Sequence, residues 1–394
     1  MSEPLAQNTP SASVAIACGG TGGHLFPGVA VGEQLRLRGC DVTLMVSPKD
    51  VDQQAIRSIS GMEIVTLPAV GLSRGNWMGF LLGFWKSYRL ARLHFRSRPP
   101  KCVLAMGGFI SAPPVFAGRH CGANTFLHES NSIPGRANRW LAPWVDGAFV
   151  YFPSAAARLR ARRVEVAGMP VRPQFRAPLT AAEARRTLGL VADAPVLLVM
   201  GGSQGAAKIN ELVLKILPQL RQAVPNLQFI HLTGSGDFKK VRAGYAAQNA
   251  PALVHAFFDE MGTALAAANV ALSRAGASSL AELAARQVPS VLIPYPTAAD
   301  NHQYFNARAF VQSGAAWMLQ QDTATGGQLA GEILDLVRDT LKRSAMQKAL
   351  GAWHTPGAAA EIAEKILNWG AESGQSVRAA GVKLKAPKMG VLNC

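Results

Sequence analysis

The sequence predicts an α/β protein in which two doubly wound parallel-sheet domains face each other around a cleft. Short apolar runs alternate with longer helical stretches, which is the βαβ rhythm of parallel sheets. The rhythm starts at Val14 and restarts at Val196, and both first strands run into glycine-rich turns. At 394 residues the chain also exceeds the size at which one core usually stops growing, so two domains are expected.

The apolar runs predict the strands of each domain in order. In the first half they are residues 14–17, 41–46, 102–106 and 124–127, and in the second half 196–200, 227–232, 270–273 and 290–294. Pro170 and Pro173 between the halves are typical of a linker. We therefore predict an N-terminal domain over 11–168, a linker over 169–174 and a C-terminal domain over 175–354.

The end of the chain predicts one more helix and a tail. Thr355 and Pro356 suit the cap and first turn of a helix over 355–370. Residues 371–394 lack apolar periodicity, which predicts a disordered segment.

In each domain, one glycine-rich loop follows the first strand. Residues 19–24 (GGTGGH) lead to a helical stretch from about Pro27, and residues 201–206 (GGSQGA) lead to another. A dinucleotide fingerprint is excluded because Leu25 stands where its third glycine belongs, and no Gly-Lys-Ser/Thr of a phosphate-binding P-loop follows. Loops at carboxyl strand ends of both domains predict one ligand in the cleft, bound by backbone N–H groups.

Two polar segments of the C-terminal half each allow two interpretations. Ser279 and Glu282 fit a capping box that only stabilises a helix, or they belong to a helix N-terminus that binds a diphosphate. Asp300 fits a helix cap or a member of a polar site. The residues alone leave both questions open.

Composition narrows the class of partner. The net charge of +16 suits nucleic acid, an anionic membrane or a phosphorylated substrate, and the chain has no RNA-binding, helix-turn-helix or zinc signature. Five scattered cysteines predict neither a zinc site nor disulfides, as in a reducing cytoplasm. We see no secretory signal and no apolar run of membrane-spanning length.

A basic and aromatic stretch predicts membrane contact. No acidic residue occurs between Glu63 and Glu129. The same stretch contains eight basic residues: Arg74, Lys86, Arg89, Arg92, Arg96, Arg98, Lys101 and Arg119. Beside these lie the aromatic and aliphatic residues 72–85, which include Trp77, Phe80, Phe84 and Trp85. We favour docking on an anionic surface over the alternative, a buried helix with a solvated basic side.

Seven motifs, taken together, resemble one family. They are GGTGGHLFPG (19–28), MGGF (106–109), HESN (128–131), GMPVR (168–172), GGSQGA (201–206), SRAGASSLAEL (273–283) and DNHQYFNA (300–307), and order and spacing agree across 14–369. The pattern resembles glycosyltransferase family 28, in particular its bacterial members that transfer N-acetylglucosamine from UDP to undecaprenyl-linked muramoyl-pentapeptide (lipid I), giving lipid II. This implies a GT-B fold, an acceptor- and membrane-docking N-terminal domain, a UDP-N-acetylglucosamine-binding C-terminal domain, and a last helix that packs back on the first.

The resemblance also implies site residues. UDP is expected to contact Ser203, the backbone at Phe258, Ala277, Ser278, Ser279, Leu280, Ala281, Glu282 and Gln303, with Glu282 accepting from the ribose. The donor sugar and diphosphate are expected near Thr21, Gly22, Gly23, Asn131 and Arg172. The chain departs from the family at Phe109, Met169 and His302, where Tyr, Asn and Gln are common.

The implied reaction is inverting attack of the muramoyl 4-hydroxyl on C1 of the donor sugar. His24 is our first choice of base and Glu129 the rival, with an orienting role as the third option. No Asp-x-Asp pair occurs, so we expect no required cofactor, and a divalent cation only as a non-essential addition. The expected partners are UDP-N-acetylglucosamine, lipid I, the anionic cytoplasmic leaflet of the inner membrane and cell-wall and division proteins, but no nucleic acid. The alternative activities are those of a galactolipid-synthase-like transferase and a UDP-N-acetylglucosamine 2-epimerase.

Overall fold

The computed structural model describes residues 12–20, 22–49, 52–53, 56, 59–68, 77–175, 178–202 and 205–369. The predicted tail over 371–394 lies outside these residues. Within them, two parallel sheets confirm the predicted doubly wound α/β class.

The first sheet is built from seven strands in the order β3-β2-β1-β4-β5-β6-β7. The strands are β1 (Ala12–Ala17), β2 (Cys40–Val46), β3 (Glu63–Thr66), β4 (Cys102–Ala105), β5 (Asn124–Glu129), β6 (Gly147–Val150) and β7 (Val164–Val166). The helices around it are α1 (Gly22–Arg36), α2 (Trp77–Ser97), α3 (Ala112–His120), α4 (Arg136–Leu141) and α5 (Pro153–Ala156). The strand order reverses between β1 and β4, so the loops after these two strands flank the usual ligand position of such sheets.

The second sheet repeats this plan with the order β10-β9-β8-β11-β12-β13. Its strands are β8 (Val196–Met200), β9 (Gln228–Leu232), β10 (Ala252–His255), β11 (Val270–Ser273), β12 (Ser290–Leu292) and β13 (Trp317–Met318). Its helices are α6 (Ala181–Thr187), α7 (Ala207–Ala223), α8 (Phe238–Ala247), α9 (Met261–Ala267), α10 (Ala277–Arg286), α11 (His302–Gln312), α12 (Gly326–Arg338) and α13 (Thr340–Gly351). The reversal here lies between β8 and β11, so α10 begins at the ligand edge.

The last helix, α14 (Ala358–Asn368), returns to the first domain. Ile362 and Ile366 are fully buried in the same core as Ile16 and Leu25. Trp369 then packs edge-on against Phe126 of β5, with 4.9 Å between ring centroids. The chain therefore crosses between the two sheets a second time. Thr355 and Pro356 do not form the cap and first turn as predicted, because α14 starts at Ala358 with Gly357 as its N-cap.

Helix α2 shows two different sides. Its buried stripe is Gly83, Ser87, Ala91 and Phe95, small residues followed by one ring, which let the helix lie close to the sheet. Trp77, Leu81 and Trp85 are instead more than half exposed. The alternative of a buried helix with a solvated basic side therefore does not hold for the described residues 77–85, where apolar as well as basic side chains are exposed. No helix in the described part of the chain is both long and apolar enough to cross a membrane.

Candidate functional site between the two domains

A buried carboxylate, that of Asp52, accepts hydrogen bonds from the first glycine loop (residues 19–24) and from the strand end beside it. The Gly20 N–H donates to Asp52 Oδ2 at 2.6 Å, and the Ser47 hydroxyl donates to the same oxygen. Gly20 has φ +95°, and a Cβ on Gly19 would lie 2.7 Å from the backbone nitrogen of Ser47. Only glycine suits both positions. The predicted site residue Thr21 lies outside the described residues.

His24 lies in the first turn of α1, against the glycines that follow β4. A Cβ on Gly107 would come within 2.8 Å of His24 Nδ1, so the ring packs directly on the backbone of this glycine. Burial lowers the pKa of His24 below 6.5, and the charges of His302 and Lys49 act in the same direction, against the opposing Met106 backbone and Asp52. The imidazole is therefore neutral near pH 7, the form that accepts a proton.

Helix α1 begins at Gly22, five positions before the predicted start, and includes Pro27. Proline has no N–H for the carbonyl four residues earlier, so the Gly23 oxygen loses its usual helical partner. Ser278 of α10 supplies a replacement, since its hydroxyl donates to the Gly23 carbonyl at 3.2 Å. Ser278 and Gly23, both predicted site residues, thus join the two domains directly.

Glu282 and Arg172 meet at the same boundary. Arg172 Nη2 lies 3.6 Å from Glu282 Oε1, and the guanidinium also stacks on Phe26 at 4.1 Å from the ring centroid. Burial raises the pKa of Glu282 to about 7, although Arg172 opposes this shift. Both groups are therefore already largely removed from water where the two domains meet, so a ligand bound here adds little further desolvation of the pair.

The capping-box interpretation of Ser279 and Glu282 is wrong. Helix α10 starts at Ala277, with Gly276 as its N-cap and no side-chain capping bond. Ser279 and Glu282 therefore lie inside the helix, and the backbone N–H groups of its first turn carry no side-chain cap. Such an end attracts anions. Asp300 is not a cap either, because Asn301 is the N-cap of α11 and Asp300 pairs with Arg136 and Arg139.

Glu129 lies at the end of β5, almost completely buried, and its carboxylate organises the HESN loop (residues 128–135). Oε1 accepts from the backbone and side chain of Asn131 at 2.8 and 3.2 Å. Oε2 accepts from Gly135 N at 2.9 Å and from Asn138 Nδ2 at 2.8 Å. Burial raises its pKa, and these four bonds oppose the rise.

The structure gives each of the remaining predicted residues a contact within the protein, except one that lies outside the described residues. Gln303 Oε1 accepts from Tyr295 N at 2.9 Å, and the Phe258 ring packs on His255 at 4.8 Å. Phe109 packs edge-on against Phe80 of α2, and Met169 is buried in the second core. His302 Nδ1–H donates to the nearby Ala299 carbonyl at 2.8 Å. Ser203 lies outside the described residues.

Two residues of this site were not assigned from the sequence. Asp52 supports the glycine loop and Asn306 bridges the domains, with bonds to Ser132 N at 2.9 Å and to Ala275 O at 3.2 Å. The position of Asp52 just after the strand beside β1 was a usable signal. Across the described residues, we find no cluster of three or more His, Cys, Asp or Glu side chains that suits a metal ion.

Comparison with known proteins gives the family. The glycosyltransferase family 28 N-terminal domain matches residues 14–150, and the family 28 C-terminal domain matches residues 196–365. A relative from Anaeromyxobacter dehalogenans (strain 2CP-C) is 36% identical over 386 residues, covering 94% of this chain and 98% of its own. One from Sorangium cellulosum (strain So ce56) is 38% identical over 365 residues, covering 90% and 88%. Both are named UDP-N-acetylglucosamine–N-acetylmuramyl-(pentapeptide) pyrophosphoryl-undecaprenol N-acetylglucosamine transferase.

Solved structures agree. The crystal structure of MurG from Acinetobacter baumannii is 27% identical, with a TM-score of 0.70 over 91% of this chain and 99% of that one. A putative UDP-N-acetylglucosamine 2-epimerase from Listeria monocytogenes reaches a TM-score of 0.66 over 91% and 96%, but at 14% identity it shares the fold alone. With both domain models matched and relatives above 30% identity along nearly the whole chain, this protein belongs to glycosyltransferase family 28.

Proposed function

We propose that this chain transfers N-acetylglucosamine from UDP-N-acetylglucosamine to the muramoyl 4-hydroxyl of lipid I, giving lipid II for peptidoglycan synthesis. The observation that carries the proposal is the interdomain site itself, where the uncapped start of α10, Glu282 and Arg172 face the glycine loop and His24. The names of the full-length relatives support this activity. The 2-epimerase alternative has only a likeness of fold, and no observation favours the galactolipid-synthase alternative.

The proposed chemistry divides between the domains. The first turn of α10 and Arg172 receive the departing diphosphate, because N–H groups and a guanidinium stabilise developing negative charge. His24 accepts the proton of the attacking hydroxyl, and Glu129 acts through the HESN loop that it holds in place. We also propose that the transfer needs no metal ion, since the amides at the start of α10 and Arg172 stabilise the negative charge of the diphosphate.

Incubation of the protein with labelled UDP-N-acetylglucosamine and a soluble lipid I analogue tests this function. The expected result is a labelled disaccharide product with inverted anomeric configuration, in undiminished yield after chelation of divalent cations. Release of free N-acetylmannosamine derivatives or UDP without acceptor product would contradict the transferase proposal. Collapse of turnover on chelation, reversed by added magnesium, would contradict only the metal-free part.

We further propose that α2 docks the enzyme on the anionic cytoplasmic face of the bacterial inner membrane. Trp77, Leu81 and Trp85 project from the first half of α2, and the Arg89 guanidinium stacks over Trp85 at 4.7 Å. Phe84 and Phe116 connect this face to two more exposed rings, Trp140 and Trp144. Arg74 and residues 72–76 of the predicted surface lie outside the described residues. Contacts with cell-wall and division proteins stay a prediction.

Vesicle sedimentation measures this docking. Replacement of Leu81 and Trp85 by serine removes two exposed apolar side chains, 52% and 53% exposed, and is expected to weaken binding to phosphatidylglycerol vesicles at least about tenfold. Leu37→Ser with Leu341→Ser is the matched control, because these leucines are still more exposed but lie elsewhere. Equal loss in both double variants, or equal binding of wild type to neutral phosphatidylcholine vesicles, would argue against the docking surface.

A further inference from the structure

Two ion pairs, both made by Asp300, join the second domain to helix α4 of the first. Arg136 Nη2 lies 3.3 Å from Asp300 Oδ1, and Arg139 Nη2 lies 2.5 Å from Asp300 Oδ2. Asp300 belongs to the segment between β12 and α11, so one carboxylate connects this segment to two positions of a helix in the other domain. We call these two ion pairs the interdomain latch.

The two arginines of the latch are open to solvent. The side chain of Arg136 is 72% exposed and that of Arg139 is 44% exposed, whereas the side chain of Asp300 is 26% exposed. Ion pairs at such exposure contribute little to stability, and salt screens them. A second anion that reaches the guanidinium groups from solvent can therefore compete with Asp300 for them.

The backbone around Asp300 has an unusual conformation. Asp300 has φ +51° and Asn301 has φ +53°, two consecutive residues in the left-handed region. Side chains other than glycine adopt this region at a cost, although Asp and Asn tolerate it best. The ion pairs to α4 help to hold this turn, so their loss makes its relaxation easier.

The arginines of the latch lie beside the docking surface proposed above. Trp140 directly follows Arg139 and lies four positions after Arg136, which makes Arg136 and Trp140 neighbours on the helix surface. The half-exposed Trp140 ring packs on Phe116, with 5.5 Å between centroids, and Phe116 contacts Phe84 of α2. Docking of α2 and Trp140 on a membrane therefore brings the exposed guanidinium groups of α4 towards the lipid headgroups.

We propose that headgroup phosphates of anionic phospholipids bind Arg136 and Arg139 in place of Asp300, so that membrane docking opens the interdomain latch. A guanidinium binds phosphate as well as carboxylate through paired N–H groups, and an anionic membrane presents phosphates at high local density. Opening of the latch frees the segment before α11 and loosens the contact between the domains at the surface that holds the acceptor. The inference rests on the proposed membrane docking.

The coupling is reciprocal, so the Asp300 carboxylate must oppose membrane binding. Binding to phosphatidylglycerol vesicles without acceptor is measured for wild type, Asp300→Asn, Arg136→Gln with Arg139→Gln, and the triple variant. Asp300→Asn is expected to bind about three- to tenfold more tightly than wild type, because the arginines no longer have to leave a carboxylate. In the background without the two arginines, the same substitution is expected to gain less than about twofold.

Asp41→Asn is the matched control, because it removes one negative charge at an exposed position of β2 in the same domain as α4. It is expected to change vesicle binding by less than about twofold. A gain from Asp300→Asn that is equal with and without the two arginines, or equal to the gain from Asp41→Asn, would overturn the proposal.

Hydrogen exchange of the full chain reports the latch itself. Exchange of the amides of residues 298–301 is expected to become faster on phosphatidylglycerol vesicles, to stay unchanged with phosphatidylcholine vesicles, and to be fast in Asp300→Asn without vesicles. A wild type that binds phosphatidylglycerol vesicles with unchanged or slower exchange here contradicts this inference alone. A wild type that does not bind these vesicles contradicts the docking proposal together with the latch.

Discussion

Replacement of His24 by alanine is expected to lower turnover about 10²- to 10⁴-fold, the usual range for loss of a general base. Because burial holds the pKa of His24 below 6.5, kcat/KM for the acceptor, measured at saturating donor, should rise with pH in the wild type through an acidic limb whose midpoint lies below that value. Below the midpoint the imidazole is protonated and cannot accept the hydroxyl proton. The limb should be absent from His24→Ala, while the affinity for UDP stays close to wild type because the nucleotide is assigned to the other domain.

The control and the rival base are tested in the same pH series with a soluble acceptor. His120→Ala removes an exposed histidine at the end of α3, and its turnover and acidic limb are expected to match wild type. Glu129→Gln is expected to keep the limb but lower turnover, since an amide cannot accept all four hydrogen bonds of the HESN loop. A limb that persists in His24→Ala and disappears in Glu129→Gln would identify Glu129 as the base.

The fold class was predictable because periodicity and turn residues are local properties of the chain. The first βαβ unit of each domain has an apolar run, a glycine-rich turn and a helical stretch, and in both sheets strands alternate with helices along the chain. The start of α1 was predicted too late because proline disfavours a helix interior. The sequence does not reveal that Ser278, in another domain, satisfies the carbonyl that Pro27 leaves without a partner.

The site was predictable as a set of motifs and not as a set of contacts. Glu282 fits a capping pattern by spacing, yet its charge partner is Arg172 in the linker region, and only the folded chain brings the two together. Asn306 lies within the DNHQYFNA motif, but its hydrogen-bond partners include Asn131 and Ser132 in the HESN loop of the other domain. Contacts between domains depend on how two sheets face each other, and no local pattern encodes that arrangement.

Replacement of Glu282 by alanine is expected to raise the KM for UDP-N-acetylglucosamine about 10- to 100-fold with a smaller effect on kcat, because hydrogen bonds to a charged acceptor are among the stronger ones. Arg172 also loses its partner in this variant. Steady-state kinetics at varied donor concentration measure the effect. Glu211→Ala, which removes an exposed carboxylate paired with lysines on α7 and α8, is the control and should leave KM unchanged. A rise in KM confined to the acceptor would contradict the assignment of Glu282 to the donor.

The pH dependence of UDP binding provides a second test of the role of Glu282. With the pKa of Glu282 raised to about 7 in the empty site, the carboxylate is largely protonated below that pH and charged above it. Ribose hydroxyls donate best to the charged form, so UDP affinity should rise between about pH 6 and pH 8, and Glu282→Gln should remove this rise.

The contribution of Glu282 to folding stability should change with pH in the opposite direction. A carboxyl whose folded pKa exceeds its ordinary 4.5 binds more protons folded than unfolded, so its contribution is lost as pH rises from 4.5 to about 7. Affinity that increases while stability decreases between about pH 6 and pH 7, with both trends absent from Glu282→Gln, would separate a ligand-binding carboxylate from one that only stabilises the fold.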